Sequence, residues 1–284
     1  MLKKKVKINA VKEMKPSYDT SGHISADAFE VIGSDSENME SIARPSISFG
    51  KDALNRILKS KVAIVCMILL GLLILGAIFI PMFSPFNYSD QNVAFQHQPM
   101  FSKDPVTGAV HIFGTDELGR DIWVRIWCGA RVSLTVAIAV ALIDCLIGVV
   151  YGGISGFFGG TVDDIMMRIV EIISGIPYLI IVILLMTVLE RGIGTIIVAY
   201  SLTGWTGMAR LVRGQVVSLS QQEFVIAAKS MGAKPSRIIG LHLVPNVLSV
   251  IIVNITLDIP NVIFTEAFLS MLGLGIAPPK SSWG

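Results

Sequence analysis

Charge is what this sequence has least of. Charged residues fill only 15% of its 284 positions, against about a quarter in an average soluble domain. That deficit excludes an ordinary hydrated surface over most of the chain. Histidine is scarce as well: His23, His97, His111 and His242 are scattered and lie mostly outside the apolar runs, so an enzyme with paired bases or ligands inside a membrane has nothing to build with. Cys66, Cys128 and Cys145 are odd in number and show no C-x-x-C spacing, which excludes a disulfide framework and a zinc site. Two of them, Cys66 and Cys145, sit in apolar runs as small packing side chains. No G-x-x-x-x-G-K-[ST] phosphate loop occurs, so the chain hydrolyses no ATP by that machinery. There is no ring of pore-lining charges or filter motif of the kind an ATP-independent channel needs. The net charge of +2 sums a basic amino end and a nearly neutral remainder, without the concentrated basic face that nucleic acid demands. Nor does the amino end read as a cleavable leader. Lys3, Lys4, Lys5 and Lys7 are followed by mixed polar sequence and not by an apolar core.

What is present is apolar sequence in lengths that cross a bilayer, 52% of all residues. A spanning helix needs roughly 20 predominantly apolar residues. The first candidate is Val62 to Ile80, uncharged and ended by Pro81, with Lys51, Arg56, Lys59 and Lys61 just before it. By the positive-inside tendency those cations hold the amino terminus in the cytoplasm. Further spans are expected over Val132 to Tyr151, Ile172 to Leu189, Gly192 to Ala209, and Pro245 to about Asp258. Five alternating spans leave segment 210–244 inside, where Arg210, Arg213, Lys229, Lys234 and Arg237 outnumber the single acid Glu223. Arg120, Arg125 and Arg131 oppose this on the outer side, but long loops translocate with less regard to charge. The organisation expected is a mobile cytoplasmic tail over 1–50, a first transmembrane helix with its basic lead-in over 51–81, an external loop over 82–131, and a core transmembrane domain over 132–284. The fold class is an all-α polytopic membrane protein.

Gly148, Gly152, Gly156 and Gly160 recur every fourth residue, a stripe that lets another helix backbone approach closely, as a static or a sliding contact. Between spans, Ser220 and Glu223 have the spacing of a capping box, Gly232 stops the helix they begin, and Pro235 opens a second. The result is a helical elbow on the cytoplasmic face. Ala227, Ala228 and Gly232 present its backbone with almost no side-chain bulk, ready for the groove of a second protein.

The stretch Ala227-Ala228-Lys229-Ser230-Met231-Gly232, followed by Pro245, resembles the cytoplasmic loop of bacterial binding-protein-dependent ATP-binding-cassette importer permeases. Ile226 stands where that pattern has a glutamate, and His242 where it has an aliphatic residue. Two further motifs narrow the likeness: Phe113 to Trp123 with Gly129 to Leu134, and Glu266 to Pro279 with Ser282 to Gly284. Together these resemble the "C" membrane subunit of oligopeptide and dipeptide importers, over about residues 55–284. The resemblance implies a type I importer fold, with a sixth span expected beyond Gly284, in the bacterial inner membrane. It implies a second permease subunit and two cytoplasmic ATPase subunits that bind ATP and magnesium, the chain itself holding no cofactor and no metal. A periplasmic or lipid-anchored peptide-binding protein completes the set. It also implies an ATPase-coupling role for loop 214–244, with Glu223, Ala227, Ala228, Lys229, Ser230, Met231, Gly232, Ala233, Pro235 and Arg237 as its residues. Nickel and glutathione importers share much of this pattern. Intramembrane acids are functional candidates by default, and Asp144, Asp258 and Glu266 are the candidates for the translocation path.

Overall fold

The first apolar run is helical from Lys61 to Phe83 (α1), passing through Pro81 and ending three residues beyond the expected Ile80. Proline deprives the carbonyl four residues back of its donor. Here that carbonyl is Ala77, and Arg131 supplies the replacement, its Nε 3.1 Å from the Ala77 oxygen and an Nη 2.8 Å from that of Ile78. One of the arginines that opposed the topology therefore spends its charge on a helix defect. Gly76 leaves α1 open to the Trp127 indole, into which any Cβ would collide. Most other side chains of α1 are exposed and apolar, as a helix bathed in lipid requires.

The computed structural model describes residues 57–189 and 192–283; the expected tail over 1–50 lies outside them. Residues 84–121 form a folded loop with one short antiparallel pair, β1 (Ser102–Lys103) and β2 (Val110–His111), in register Ser102 to His111. Next comes α2, Ile122–Phe158, capped by the Asp121 carboxylate on the Val124 N–H at 2.8 Å. It starts ten residues earlier and ends seven later than the span expected over 132–151. At 1.5 Å per residue it is about 55 Å long, well over the roughly 30 Å of a hydrocarbon core.

Sequence 152–171, which lies between the second and third expected spans, is helical on both sides of Gly159. After Gly159 at φ +62° the chain turns into α3, Gly160–Ser174. The expected third span does not run straight. α3 and α4 (Tyr178–Val188) meet at 73°, because Pro177, with no N–H to donate, cannot continue the ladder. The expected fourth span is likewise two helices, α5 (Ile193–Ser201) and α6 (Trp205–Ser220), broken over 202–204. Two shorter pieces follow, α7 (Glu223–Ser230) and α8 (Pro235–Arg237). Residues Ile238–Leu243 wind more widely: Pro245 has no N–H, and the Val244 N–H reaches five residues back to Ile239. α9 then runs Val244–Met271, straight past Asp258 and through Pro260. Among the described residues, three helices are long and apolar enough to cross a membrane, four if the bent α3–α4 pair is one span. The third and fourth expected spans are each built from two helices, broken at Gly175–Pro177 and at 202–204.

Residues 64–283 belong to one unit. Its core is a sandwich of α2 with α6 on one side and α9 on another. Met208, Val212 and Val216 of α6 pack with Val247 and Ile251 of α9, and Val136 and Val140 of α2 with Ile196 and Val262.

Candidate functional site

Ser220 is the last residue of α6, and its hydroxyl donates back to the Val217 carbonyl at 2.8 Å. It is therefore spent inside α6, and the expected capping box does not form. Gln222 takes the N-cap position of α7 without a side-chain bond. Glu223 stands exposed in the first turn, where its charge faces the positive end of the helix dipole. The far end closes as the spacing requires. Gly232 lies at φ +78°, its N–H donating to the Lys229 carbonyl (3.0 Å) while the Ala233 N–H reaches the Ala228 carbonyl (3.1 Å). Such a double closure calls for a left-handed residue. A Cβ at Gly232 would meet nothing within 4 Å, so the demand for glycine is a backbone demand.

Ala228 needs correcting. It was expected to face outward with Ala227, but it is buried, packing with Val225 against Val212, Val216 and Leu243. Three residues separate Val225 from Ala228, which puts them on one helix face, and that face is the anchor. Lys229 adds a second hold, its Nζ 4.6 Å from the centre of the Phe157 ring at the end of α2. What faces solvent is apolar: Phe224 is 42% exposed, Ile226 53% and Met231 81%. Ala227, Ser230, Gly232, Pro235 and Arg237 are exposed beside them, and Ala233 is half-buried.

Beneath the elbow, α2 and α6 touch through backbone. A Cβ at Gly148 would strike Met208, one at Gly152 the Ala209 carbonyl, and one at Gly156 the Arg213 carbonyl. Gly160, the fourth member of the expected stripe, is excluded from it: the helix has ended and a Cβ there meets open space. Beside this contact lies a network that sequence reading missed. Asp163 of α3 is buried and accepts from the Ser155 hydroxyl and from both Nε (2.6 Å) and Nη2 of Arg213. It ties α2, α3 and α6 together. Asp163 and Arg213 are fifty positions apart, and no local spacing rule connects residues at that distance.

At the other end of α2, the segment Phe113 to Trp123 consumes its own polar groups. Asp121 caps α2 with one oxygen and meets His111 Nδ1 at 2.8 Å with the other, and His111 stacks on Phe86. The Thr115 hydroxyl donates to the Phe95 carbonyl at 2.6 Å. Asp116 accepts from Arg120 Nε at 2.7 Å and from the backbone N–H groups of Leu118 and Arg120. The bonds from Arg120 and Leu118 outweigh the upward push of burial and hold the Asp116 carboxyl below its ordinary range.

The three candidate acids differ. Glu266, expected near an outer mouth after the last span, lies inside α9, 1% exposed and fully engaged. Its two oxygens accept from the Ser133 and Ser270 hydroxyls, both at 3.1 Å, and Ser133 in turn accepts the Trp283 N–H at 3.1 Å. This carboxylate fastens α2, α9 and residues 272–283 together. Asp258 is half-buried and accepts from Asn254 Nδ2 at 3.1 Å. Asp144 is 4% exposed, its Oδ1 without a hydrogen bond among the described residues.

Known proteins share much of this sequence. Residues 148–284 match the family described as "binding-protein-dependent transport system inner membrane component", and residues 48–99 match the "N-terminal TM domain of oligopeptide transport permease C". The oligopeptide transport system permease protein OppC of Bacillus subtilis (strain 168) is 50% identical over 92% of this chain and 84% of its own length. The dipeptide transport system permease protein DppC of the same organism is 50% identical over 86% of this chain and 74% of its own. OppC of Escherichia coli (strain K12) is 42% identical over 90% and 82%. With half its residues shared over nine-tenths of its length, the chain belongs to the family of binding-protein-dependent transport system inner membrane components.

Proposed function

We propose that this chain is the membrane-spanning permease subunit of an ATP-binding-cassette importer for oligopeptides, fed by a binding protein on the outer side of the membrane. The observation that carries the reading is the elbow: a short helix anchored by Val225 and Ala228, with Phe224, Ile226 and Met231 turned outward and that apolar face uncovered among the described residues. Exposed apolar groups on a rigid projection are what an interface needs. The substrate class is supported by relatives at 50% identity named for oligopeptide and dipeptide transport.

The elbow end faces the cytoplasm, with the amino terminus on the same side. Its support is the cation excess of segment 210–244. Two cytoplasmic ATPase subunits bind ATP and magnesium, and each grips the elbow of one of two homologous permeases. Loop 214–244 is the coupling segment. Because Val225 and Ala228 are embedded among α6 and α9, and Lys229 rests on α2, a pull on the elbow moves those helices as one body. Two such bodies rocking against each other expose the path to one side and then the other.

The test is a single cysteine at Met231→Cys in a chain freed of its three native cysteines, assembled with its partners. Cross-linking to an engineered cysteine on the ATPase subunit, with protection from an impermeant thiol reagent applied outside, is the expected result. Rapid labelling from outside would remove both the topology and the coupling assignment.

A further inference from the structure

We propose that Asp144 and Asp258 form an intramembrane site for a monovalent cationic group, an ammonium above all, at the point where α5 breaks into α6. The proposal rests on the importer reading and adds a substrate-contacting site to it.

The break over 202–204 is where the argument starts. Gly204 lies against the Asp144 carboxylate and against the Tyr200 ring at once, and a Cβ there would collide with both. The two side chains thus share one small space, walled by backbone. Tyr178, which opens α4 directly after the neighbouring bend, stands edge-on to Tyr200 with ring centres 5.3 Å apart. Both helix breaks therefore converge on one region. Secondary transporters place substrate and ion sites at discontinuous helices, since irregular backbone at membrane depth is tolerated only where it is buried in protein or lines a cavity.

That region holds more hydrogen-bonding capacity than the chain satisfies. Asp144 Oδ1, the Tyr178 hydroxyl and the Ser201 hydroxyl are buried and unpartnered among the described residues. Leaving such groups unmet in an apolar medium costs several kcal/mol each. Asp258 on α9 is brought to the level of Asp144 by the register of the helices: Glu266 bonds Ser133 of α2, Val262 packs with Val136 and Val140, and Asn254, one turn before Asp258, reaches the sulfur of Met208, which lies against Gly148. Asn254 also donates to Asp258. Two carboxylates at one level of the packed helices, neither of them in an ion pair among the described residues, call for a cation. Glu266 serves as the internal control: equally deep, it has a hydroxyl on each oxygen. The aromatic walls of Tyr178 and Tyr200 favour an alkylammonium over a strongly hydrated ion. A peptide carries that group at its amino end or on a lysine. Asp258, half-exposed, is the entrance and Asp144 the buried end.

The test uses the complete complex in proteoliposomes and uptake of radiolabelled trialanine. Asp144→Asn and Asp258→Asn should each lower uptake at least about tenfold while the elbow cross-link to the ATPase is retained, which shows that the fold and the docking survive. In the unaltered complex, a hydrophobic carbodiimide that modifies buried carboxyls should inactivate uptake. Unlabelled trialanine should protect where N-acetyl-trialanine does not; protection by sodium against N-methylglucamine would instead identify an inorganic cation as the occupant. Undiminished uptake in either asparagine variant, or inactivation that neither trialanine nor sodium slows, overturns the site. The importer reading fails separately, by absence of ATP-driven uptake in the unaltered complex.

Discussion

Two short segments, one near each end of α2, use their side chains in opposite ways. In residues 113–123 nearly every polar side chain turns inward: Thr115, Asp116 and Asp121 each hold two or more partners, and His111 is clamped between Asp121 and the Phe86 ring. In residues 223–232 the internal bonds are all backbone, and the largest side chains point away from the protein. The first segment is a knot whose residues are consumed by its own fold. The second is a handle, rigid in its backbone and unspent on its surface. Motifs of similar prominence can thus have opposite meanings, and the hydrogen-bond inventory separates them. A spent motif breaks the fold when changed; an unspent one leaves the fold intact and loses a partner.

The sharpest way to test that contrast is a pair of truncations. Asp121→Ala removes the cap of α2 and the buried partner of His111. Caps contribute about 1 kcal/mol and a buried charge-assisted bond about 2, so a loss of about 3 kcal/mol is expected, read as faster hydrogen exchange over residues 84–125. Met231→Ala at the handle should change stability by under about 0.5 kcal/mol while sharply reducing copurification with the ATPase subunits. If Met231→Ala destabilised the fold as strongly as Asp121→Ala, the distinction would be lost.

Within the handle the same contrast recurs between adjacent residues. Ala228 is embedded among Val212, Val216 and Leu243, so Ala228→Leu overpacks the anchor at about 2 kcal/mol, measurable as a lowered melting temperature. Ala227→Leu, one position along and exposed, should leave melting unchanged and weaken ATPase association. Equal melting for the two would contradict the burial of Ala228. A smaller effect is expected for Gly232→Ala. Open space surrounds the site, so only the left-handed backbone resists, at about 1 kcal/mol, and coupling of ATP hydrolysis to uptake should loosen with little change in expression.

How much of this was legible follows from the range of the interactions. Local chemistry was readable: Gly232 as a helix stop and Pro235 as a first-turn residue depend on a few neighbours, and apolar run lengths depend only on the bilayer. The family was readable from three separated motifs. What was hidden depends on partners distant in sequence. Ser220 cannot cap α7 because α6 extends to meet it, and Ala228 is buried because of valines on α6. The straight spans expected over 172–189 and 192–209 are broken at places where composition stays apolar, since hydropathy sums residues without regard to direction. Asp144 and Glu266 look alike as acids in apolar sequence; serines on other turns and other helices satisfy one and not the other. The arginines at 120, 125 and 131 read alike in the sequence as external cations, yet Arg120 and Arg125 share the Asp116 carboxylate and Arg131 donates to α1 carbonyls.

The smallest expected effect returns to the knot. Asp104 lies beside it, its Oδ1 accepting from the Thr107 N–H at 2.6 Å, the Val106 N–H at 2.9 Å and the Thr107 hydroxyl at 3.0 Å. The Thr107 N–H is the largest cause holding this carboxyl below its ordinary range, against a smaller upward push from burial. A carboxyl depressed in the folded state stabilises that state at every pH above its unfolded value, about 4. The contribution is lost as pH falls from there through the folded value, when protonation takes an acceptor from three donors. Protection of the Val106 and Thr107 amides from hydrogen exchange should therefore be flat from pH 7 to about 5, after allowance for intrinsic exchange rates, and decline below about 4. Asp104→Asn keeps one acceptor but cannot titrate, so its protection should start lower and stay level across that window. The elbow, whose bonds are backbone to backbone, should show no such decline; a parallel fall at residues 225–231 would mean that acid loosens the whole molecule and not the knot.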